Sequence, residues 1–332
     1  MHDISIAVAV YNEEESLPFL CDKLHAVMSK LGKTYEIVLV DDGSTDTSWD
    51  VMNDMAEKYP NLKLVRFRRN YGQTAAMSAG INESDGAILI TLDADLQNDP
   101  ADIPALLEKL DEGEGYDVVS GWRKDRQDTF INRKLPSMIA NRLIGHLTGV
   151  KLHDYGCSLK AYRREIISNV RLYGEMHRFI PALCRWAGGT VTEIPVSHHA
   201  RKYGKSKYGI SRTLRVVLDL MTVKFLLSYS TRPIQVFGKI GVHFGAWAGL
   251  ILGIVGLEAM LGATGAINVP WWGEELLIKR PFWIMTPLMF LGFSIQFIVL
   301  GLLAELTTRT YHESQDKQIY NIKTIVTSPK SE

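Results

Sequence analysis

Asp93 and Asp95 stand one residue apart at the end of the apolar run Ile88-Leu89-Ile90-Thr91-Leu92. Alternate carboxylates closing a buried strand are hard oxygen donors, suited to Mg²⁺ or Mn²⁺, which bind through one or two carboxylates together with substrate phosphates. Such a pair would clamp a diphosphate. A local use competes with this one: Asp95 or Asp99 could cap a helix starting near Pro100, because Asp is among the favoured N-cap residues. Three more polar clusters follow apolar stretches: Tyr11-Asn12-Glu13-Glu14, Asp41-Asp42-Gly43-Ser44-Thr45-Asp46 and Asn70-Tyr71-Gly72-Gln73. Each alone reads as turn chemistry. Four of them at successive strand ends favour a shared site.

The elements that must position these clusters are legible in the hydrophobic pattern. Short β-rich runs at Ile4 to Val10, Tyr35 to Asp41, Leu62 to Arg66, Ala87 to Leu92 and Asp117 to Gly121 predict strands, with amphipathic helical segments between them. That alternation predicts an α/β domain with a mostly parallel sheet covered by helices. Ligands bind such sheets beyond the carboxyl ends of the strands, where the four clusters fall. No Gly-x-Gly-x-x-Gly follows the first strand, and no Gly-x-x-x-x-Gly-Lys-Ser/Thr occurs. The backbone cradles for dinucleotides and for ATP phosphates are therefore missing, which leaves the phosphate work to a cation.

The 37 basic and 37 acidic residues balance, which argues against a nucleic-acid partner. Cys21, Cys157 and Cys184 lack any Cys-x-x-Cys spacing, so neither a disulfide framework nor a zinc site is indicated. The N-terminus enters its first apolar run without a basic region or cleavage site, so the folded part is expected to stay on the cytosolic side. The C-terminal part differs sharply. Ile240 to Leu257 is 18 residues, and Pro281 to Ala304 is 24, without Asp, Glu, Lys or Arg. A membrane-spanning helix needs about 20 apolar residues, so these stretches predict two spans, about 236–260 and 281–304, forming a hairpin. The expected division is a cytosolic α/β domain at 1–209, an amphipathic interfacial helix at 210–232, the hairpin within 233–308 and a cytosolic tail at 309–332. Periodicity alone allows a core helix at 210–232 nearly as well, and the position just before a span favours the interfacial reading. Gly238, Gly241, Gly245 and Gly249 would suit either association of copies into a homo-oligomer or packing of the hairpin on itself.

Val10-Tyr11-Asn12-Glu13-Glu14, Val40 to Asp46 and Leu92-Asp93-Ala94-Asp95-Leu96-Gln97 together resemble the three signatures of the inverting glycosyltransferases of family 2, which share the GT-A nucleotide-sugar-binding fold. Asn70 to Gln73, Asp154-Tyr155-Gly156-Cys157 and Tyr203-Gly204-Lys205-Ser206-Lys207-Tyr208, followed by two spans, are similar to the polyisoprenyl-phosphate glycosyltransferases. That subgroup includes bactoprenol glucosyltransferases, undecaprenyl-phosphate aminoarabinose transferase and dolichyl-phosphate mannose synthase. The processive synthases of the family carry Gln-x-x-Arg-Trp; here Ala182 stands at the Gln position. Arg185-Trp186 is accordingly read as helix packing.

The resemblance implies a membrane enzyme of the inner membrane, with its catalytic domain on the cytosolic face, moving a sugar from a UDP-sugar to polyprenyl (undecaprenyl) phosphate. UDP-glucose is favoured on overall likeness; an aminoarabinose derivative, mannose, or a non-catalytic nucleotide-sugar-binding protein are the alternatives. Nucleotide-sugar binding falls to Tyr11, Asn12, Glu13, Asp41, Asp42, Gln73, Asp93, Ala94 and Asp95. The metal, Mg²⁺ or Mn²⁺, falls to Asp93, Asp95 and Gln97. The acceptor phosphate falls to Arg123, Arg133, Ser137, Arg201 and Lys205, of which Arg123, Arg133 and Ser137 join Asp95 as catalytic. A phosphate monoester with a second pKa of about 6 is largely dianionic near neutrality, so the nucleophile needs cations around it rather than a general base.

Overall fold

The computed structural model describes residues 2–124, 141–200 except 143, 147, 173 and 175, and 318–328, together with isolated residues between 261 and 310. The chain divides into two compact units, residues 1–227 with 318–332, and residues 228–317. The first unit holds the strands β1 (Ile4–Val10), β2 (Tyr35–Asp41), β3 (Leu62–Phe67), β4 (Ile88–Asp93), β5 (Val118–Trp122), β6 (Lys160–Arg163), β7 (Val191–Pro195) and β8 (Ile322–Thr327). Its longer helices are α1 (Leu17–Met28), α2 (Ser48–Lys58), α3 (Gln73–Glu83) and α4 (Ile103–Leu110).

The strands form one sheet in the order β7-β5-β6-β4-β1-β2-β3-β8. The five strands read from the sequence are all present, and four of the seven pairings are parallel: β1 with β2, β1 with β4, β2 with β3 and β5 with β7. The sheet is buried on both faces by period-2 alternation. Ile4, Ile6, Val8 and Val10 of β1 pack with Leu17, Leu20 and Leu24 of α1 and with Leu106 and Leu110 of α4. Val38 and Val40 of β2 turn the other way, toward Ala75, Ala76 and Ala79 of α3. The small residues of α3 let it lie close: a Cβ on Gly80 would come within 2.7 Å of the Ala7 Cβ.

The chain runs β1, β2, β3 in one direction and then returns to place β4 on the opposite side of β1. This reversal makes the β1/β4 boundary the topological switch point, the usual ligand crevice of an open α/β sheet. The sheet is longer than the sequence pattern predicts. Strands β6 and β7 and the returning β8 extend it, with β6 antiparallel to both β4 and β5, and β8 antiparallel to β3. Residues 322–327, placed in a C-terminal tail by hydropathy, thus form an edge strand. Tyr320 anchors it, stacking on Phe67 at 4.9 Å and accepting a hydrogen bond from Asn82 Nδ2 at 3.0 Å.

The predicted spans fall almost entirely outside the described residues, and the interfacial segment 210–232 falls wholly outside them. Among the described residues no helix is long and apolar enough to cross a membrane. Trp186, at the end of the short helix Ile180–Trp186, is 61% exposed, which corrects its reading as a packing residue; its neighbour Arg185 donates to the Gly189 carbonyl at 3.3 Å.

Tyr320→Ala removes a buried ring and should lower the unfolding free energy by about 3 kcal/mol, a cost typical of deleting a core aromatic. Urea denaturation followed by circular dichroism measures it; an unchanged midpoint would show that β8 adds nothing to the sheet.

Candidate active site

Parallel register brings the strand-end clusters together. Asp93 lies beside Ala9, and Asp41 beside Val10. The loops beyond these ends are then laced to one another. Asn12 N–H donates to Ser44 Oγ at 3.0 Å, and its Oδ1 accepts from Thr45 N–H at 2.8 Å, which ties the β1 loop to the β2 loop. Glu13 N–H adds a bond to Ser48 Oγ at 2.8 Å. Asp42 accepts from the backbone N–H groups of Tyr71 at 2.7 Å and Gly72 at 2.9 Å, tying the β2 loop to the β3 loop. Gln73 Nε2, at the start of α3, then donates to Asp93 Oδ1 at 2.7 Å. The four clusters therefore close a ring across β4, β1, β2 and β3.

Two local features make the ring fit. Gly43 sits at φ +68, and a Cβ there would come within 2.4 Å of the Arg69 carbonyl carbon, so only glycine lets these loops touch. Asn12 (φ 54) and Leu96 (φ 58) are the non-glycine positions at positive φ among the described residues. Such a conformation is unusual for a side chain like leucine, and backbone held that way clusters at functional sites.

Asp93 carries the clearest electrostatic signature. Burial, and after it the nearby Asp95 carboxylate, push its carboxyl pKa up, against opposing bonds from Ser158 and Gln73. Two like charges near one another out of water are stabilised by a cation. Asp95 is buried and its Oδ1 accepts from Gln97 N–H at 3.1 Å across the Leu96 turn. The helix cap belongs to Asp99, whose Oδ1 accepts from Ala101 N–H at 3.1 Å. The competing use for Asp95 therefore goes to its neighbour. Two carboxylates with an amide at one of them suit Mg²⁺ or Mn²⁺, whose remaining positions are filled by phosphate and water. The one cluster of three carboxylate or imidazole groups among the described residues, His2 with Glu36 and Asp85, lies at the opposite ends of the strands.

Arg123, just past β5, is held by Asp154. Its Nε donates to Oδ2 at 2.6 Å and a terminal nitrogen to Oδ1 at 3.0 Å, with 10% and 4% of the two side chains exposed. Burial disfavours the charged guanidinium, but the bonds and charge of Asp154 outweigh it and raise its pKa further. The sequence signal for this partner was present in the Asp154 to Cys157 motif, without the pairing. Beneath the site, Lys160 is buried with its ammonium on the Tyr155 carbonyl at 3.2 Å, and burial lowers its pKa. Cys157 is pushed up to about 11, chiefly by burial, so it holds its proton at neutral pH.

The other expected site residues divide into those placed on this rim and those outside the described residues. Tyr11 is half-buried, Ala94 is buried, and Glu13 accepts from Ser16 Oγ at 2.8 Å. Asp41 has no exposed surface; it accepts from Ser44 N–H at 2.9 Å and pairs with Arg66 at 3.4 Å. Gln97 is half-buried, and its carbonyl accepts from His199 N–H at 2.8 Å. Arg133, Ser137, Arg201 and Lys205 lie outside the described residues. Residues with no sequence signal join the site's edge: Thr74 Oγ1 is 2.8 Å from His177 Nδ1, both side chains being buried.

An α/β sheet with carboxylates at its β1/β4 switch is the GT-A architecture. The solved structure of glucosyl-3-phosphoglycerate synthase from Mycobacterium tuberculosis, in complex with Mn²⁺ and UDP-glucose, has the same fold, with a TM-score of 0.54 over 69% of this chain and 81% of that one at 17% identity. Residues 5–171 match the sequence profile of Glycosyl transferase family 2. Dodecaprenyl-phosphate galacturonate synthase of Rhizobium johnstonii is 44% identical over 97% of this chain and 93% of its own length. Undecaprenyl-phosphate 4-deoxy-4-formamido-L-arabinose transferase of an Enterobacter species is 40% identical over 98% and 94%. The chain belongs to glycosyl transferase family 2 and, within it, to the polyprenyl-phosphate glycosyltransferases.

Asp154→Ala leaves Arg123 buried without its carboxylate and should cost about 3–5 kcal/mol of stability, more than the paired replacement Arg123→Met with Asp154→Leu. Denaturant unfolding of both variants decides this, and equal losses would show that the pair is not coupled.

Burial lifts the Asp42 carboxyl from 3.8 to about 6 against the bonds from Tyr71 and Gly72. Between those values the folded protein binds more proton than the unfolded chain, so the Asp42 contribution to stability should fall as pH rises from about 4 to about 6 and stay level above. Unfolding free energies of the protein and of Asp42→Asn across that window test the slope.

Proposed function

We propose that this protein transfers a sugar from a UDP-sugar to a polyprenyl phosphate, undecaprenyl phosphate among them, with inversion at the anomeric carbon. The observation that carries the reading is the closed ring from Asn12 through Asp42 to Gln73 and Asp93, with Asp95 beside it at the switch point. Tyr11, Asn12 and Glu13 supply the nucleoside side of that ring, where carboxylates and amides can accept from base and ribose donors, and the buried Asp41 and Asp42 hold the loops behind them. Asp93 and Asp95, with Gln97 adjacent, are the residues that would hold Mg²⁺ or Mn²⁺. When bound, the cation neutralises the charge that develops on the departing UDP.

Polyprenyl phosphate arrives already charged, so no side chain has to remove a proton. What the protein supplies is positioning of two anions that repel each other. Arg123 is fixed in direction by Asp154, and Arg133, Ser137, Arg201 and Lys205 supply further phosphate contacts. Pre-set cations of this kind lower the barrier because they need no reorganisation during reaction. The acceptor lipid places the enzyme at the inner membrane, with the hairpin of 236–260 and 281–304 as anchor and the first unit on the cytosolic face. Met285 and Leu303 support the anchor, being helical positions 63% and 58% exposed in an apolar stretch.

The relatives' names shift the donor. They describe transfer of galacturonate and of 4-deoxy-4-formamido-L-arabinose, not glucose. A UDP-linked sugar of those two kinds therefore replaces UDP-glucose as the favoured donor.

Purified protein with Mn²⁺ should convert undecaprenyl phosphate to a lipid-linked phosphosugar, detected by mass spectrometry of the lipid extract. Chelation should stop the reaction, and Asp95→Ala should slow it by about 100-fold or more, the scale of losing several kcal/mol of charge stabilisation. Undiminished transfer by Asp95→Ala would remove the metal assignment, and donor binding without any product would indicate a non-catalytic nucleotide-sugar-binding protein.

A further inference from the structure

Beside the start of α3, Thr74 begins a short chain of polar groups at the edge of the site. Thr74 follows Gln73, whose amide bonds Asp93. Thr74 Oγ1 meets His177 Nδ1 at 2.8 Å, and Arg178 Nε meets His177 Nε2 at 3.3 Å. A guanidinium can only donate, so His177 Nε2 accepts and is unprotonated. The neutral ring must then carry its proton on Nδ1 and donate it to Thr74 Oγ1. His177 and Thr74 are both buried, so the arrangement is fixed from beneath.

The consequence falls on Arg178. Its Nε is committed to the imidazole, which leaves the two terminal amino groups, the forked end of the guanidinium, as its binding face. Among the described residues no carboxylate pairs with it, whereas Arg123 is paired with Asp154 and Arg163 with Asp111. Arg178 is half-buried. An oriented fork without a carboxylate partner among the described residues matches a planar carboxylate in a two-bonded contact.

We propose that Arg178 is a specificity-determining residue that binds a carboxylate on the donor sugar, with His177 and Thr74 as its positioning residues. The substrate class is then a nucleoside-diphosphate uronic acid. This rests on the transferase reading above and narrows it to one donor chemistry. The diphosphate has the cation at Asp93 and Asp95, and the acceptor phosphate has the Arg123 side of the site, so neither needs the Arg178 fork.

The test compares three donors with undecaprenyl phosphate as acceptor: UDP-galacturonate, UDP-galactose, which differs from it only at C6, and UDP-4-deoxy-4-formamido-L-arabinose, which is uncharged on the sugar. The wild-type protein should have its highest kcat/KM with UDP-galacturonate. Arg178→Gln should lower the uronate-over-galactose ratio by about 10- to 100-fold, the scale of hydrogen bonds to a charged group. Arg178→Lys should recover part of the ratio, because it keeps the charge and loses the fork. The KM for undecaprenyl phosphate should stay the same in both variants.

A wild-type preference for either uncharged sugar overturns the proposal while leaving the transferase reading intact. So does an equal loss with all donors, or a raised KM for the lipid. Absence of transfer from every UDP-sugar would count against the transferase reading itself. Should Arg178→Gln fail to fold, the wild-type preference and the Arg178→Lys ratio decide the matter.

Discussion

The parallel register that sets Asp93 beside Ala9 and Asp41 beside Val10 is the constraint on which the site depends. In a sheet, a slip of one residue turns every side chain to the opposite face. Here such a slip would bury the rim carboxylates in the aliphatic layers above and below β1. The alternation of Ile4, Ile6, Val8 and Val10 toward one layer, and of Val38 and Val40 toward the other, fixes the register. Only then can Asn12 reach Ser44, Asp42 reach Tyr71 and Gln73 reach Asp93.

That ring also separates two electrostatic tasks. On one side, burial and the nearby Asp95 carboxylate disfavour the charge on Asp93, a condition that a divalent cation relieves. On the other side, Arg123 and Asp154 neutralise each other through a two-bonded contact. A buried pair of that kind adds little net stability, because desolvation offsets most of the attraction. Its value is directional: the guanidinium has one orientation, set before any ligand arrives. Lys160, buried nearby with its ammonium on the Tyr155 carbonyl, adds fixed positive character beneath the same region.

The return of the chain through β8 gives the rim a second support. Arg68 N–H donates to the Asn321 carbonyl at 3.1 Å, and Asn321 Nδ2 donates to the Tyr71 hydroxyl at 3.1 Å. Tyr71 and Gly72 are the residues whose backbone Asp42 holds. The segment after residue 317 thus meets the loop that carries Gln73 toward Asp93.

The sequence by itself determined the five core strands, the parallel character of the sheet and the four strand-end clusters, because these rest on short-range patterns. Buried parallel strands are continuous apolar runs, and turn residues with carboxylates mark their ends. It did not determine β6, β7 or β8. Lys160 to Arg163 spans four residues with a basic residue at each end, β7 is only half-buried and β8 lies largely exposed, so none carries the continuous apolar run of a core strand. Nor could it say which aspartate caps a helix and which faces the crevice. Asp95 and Asp99 are alike in local context, and the Leu96 turn separates their roles. The partners of Asp42, Gln73, Arg123 and His177 were equally out of reach, being 20 to 103 residues away in the chain. Pairing over such distances is set by how the sheet is wound, and that is a property of the tertiary structure alone.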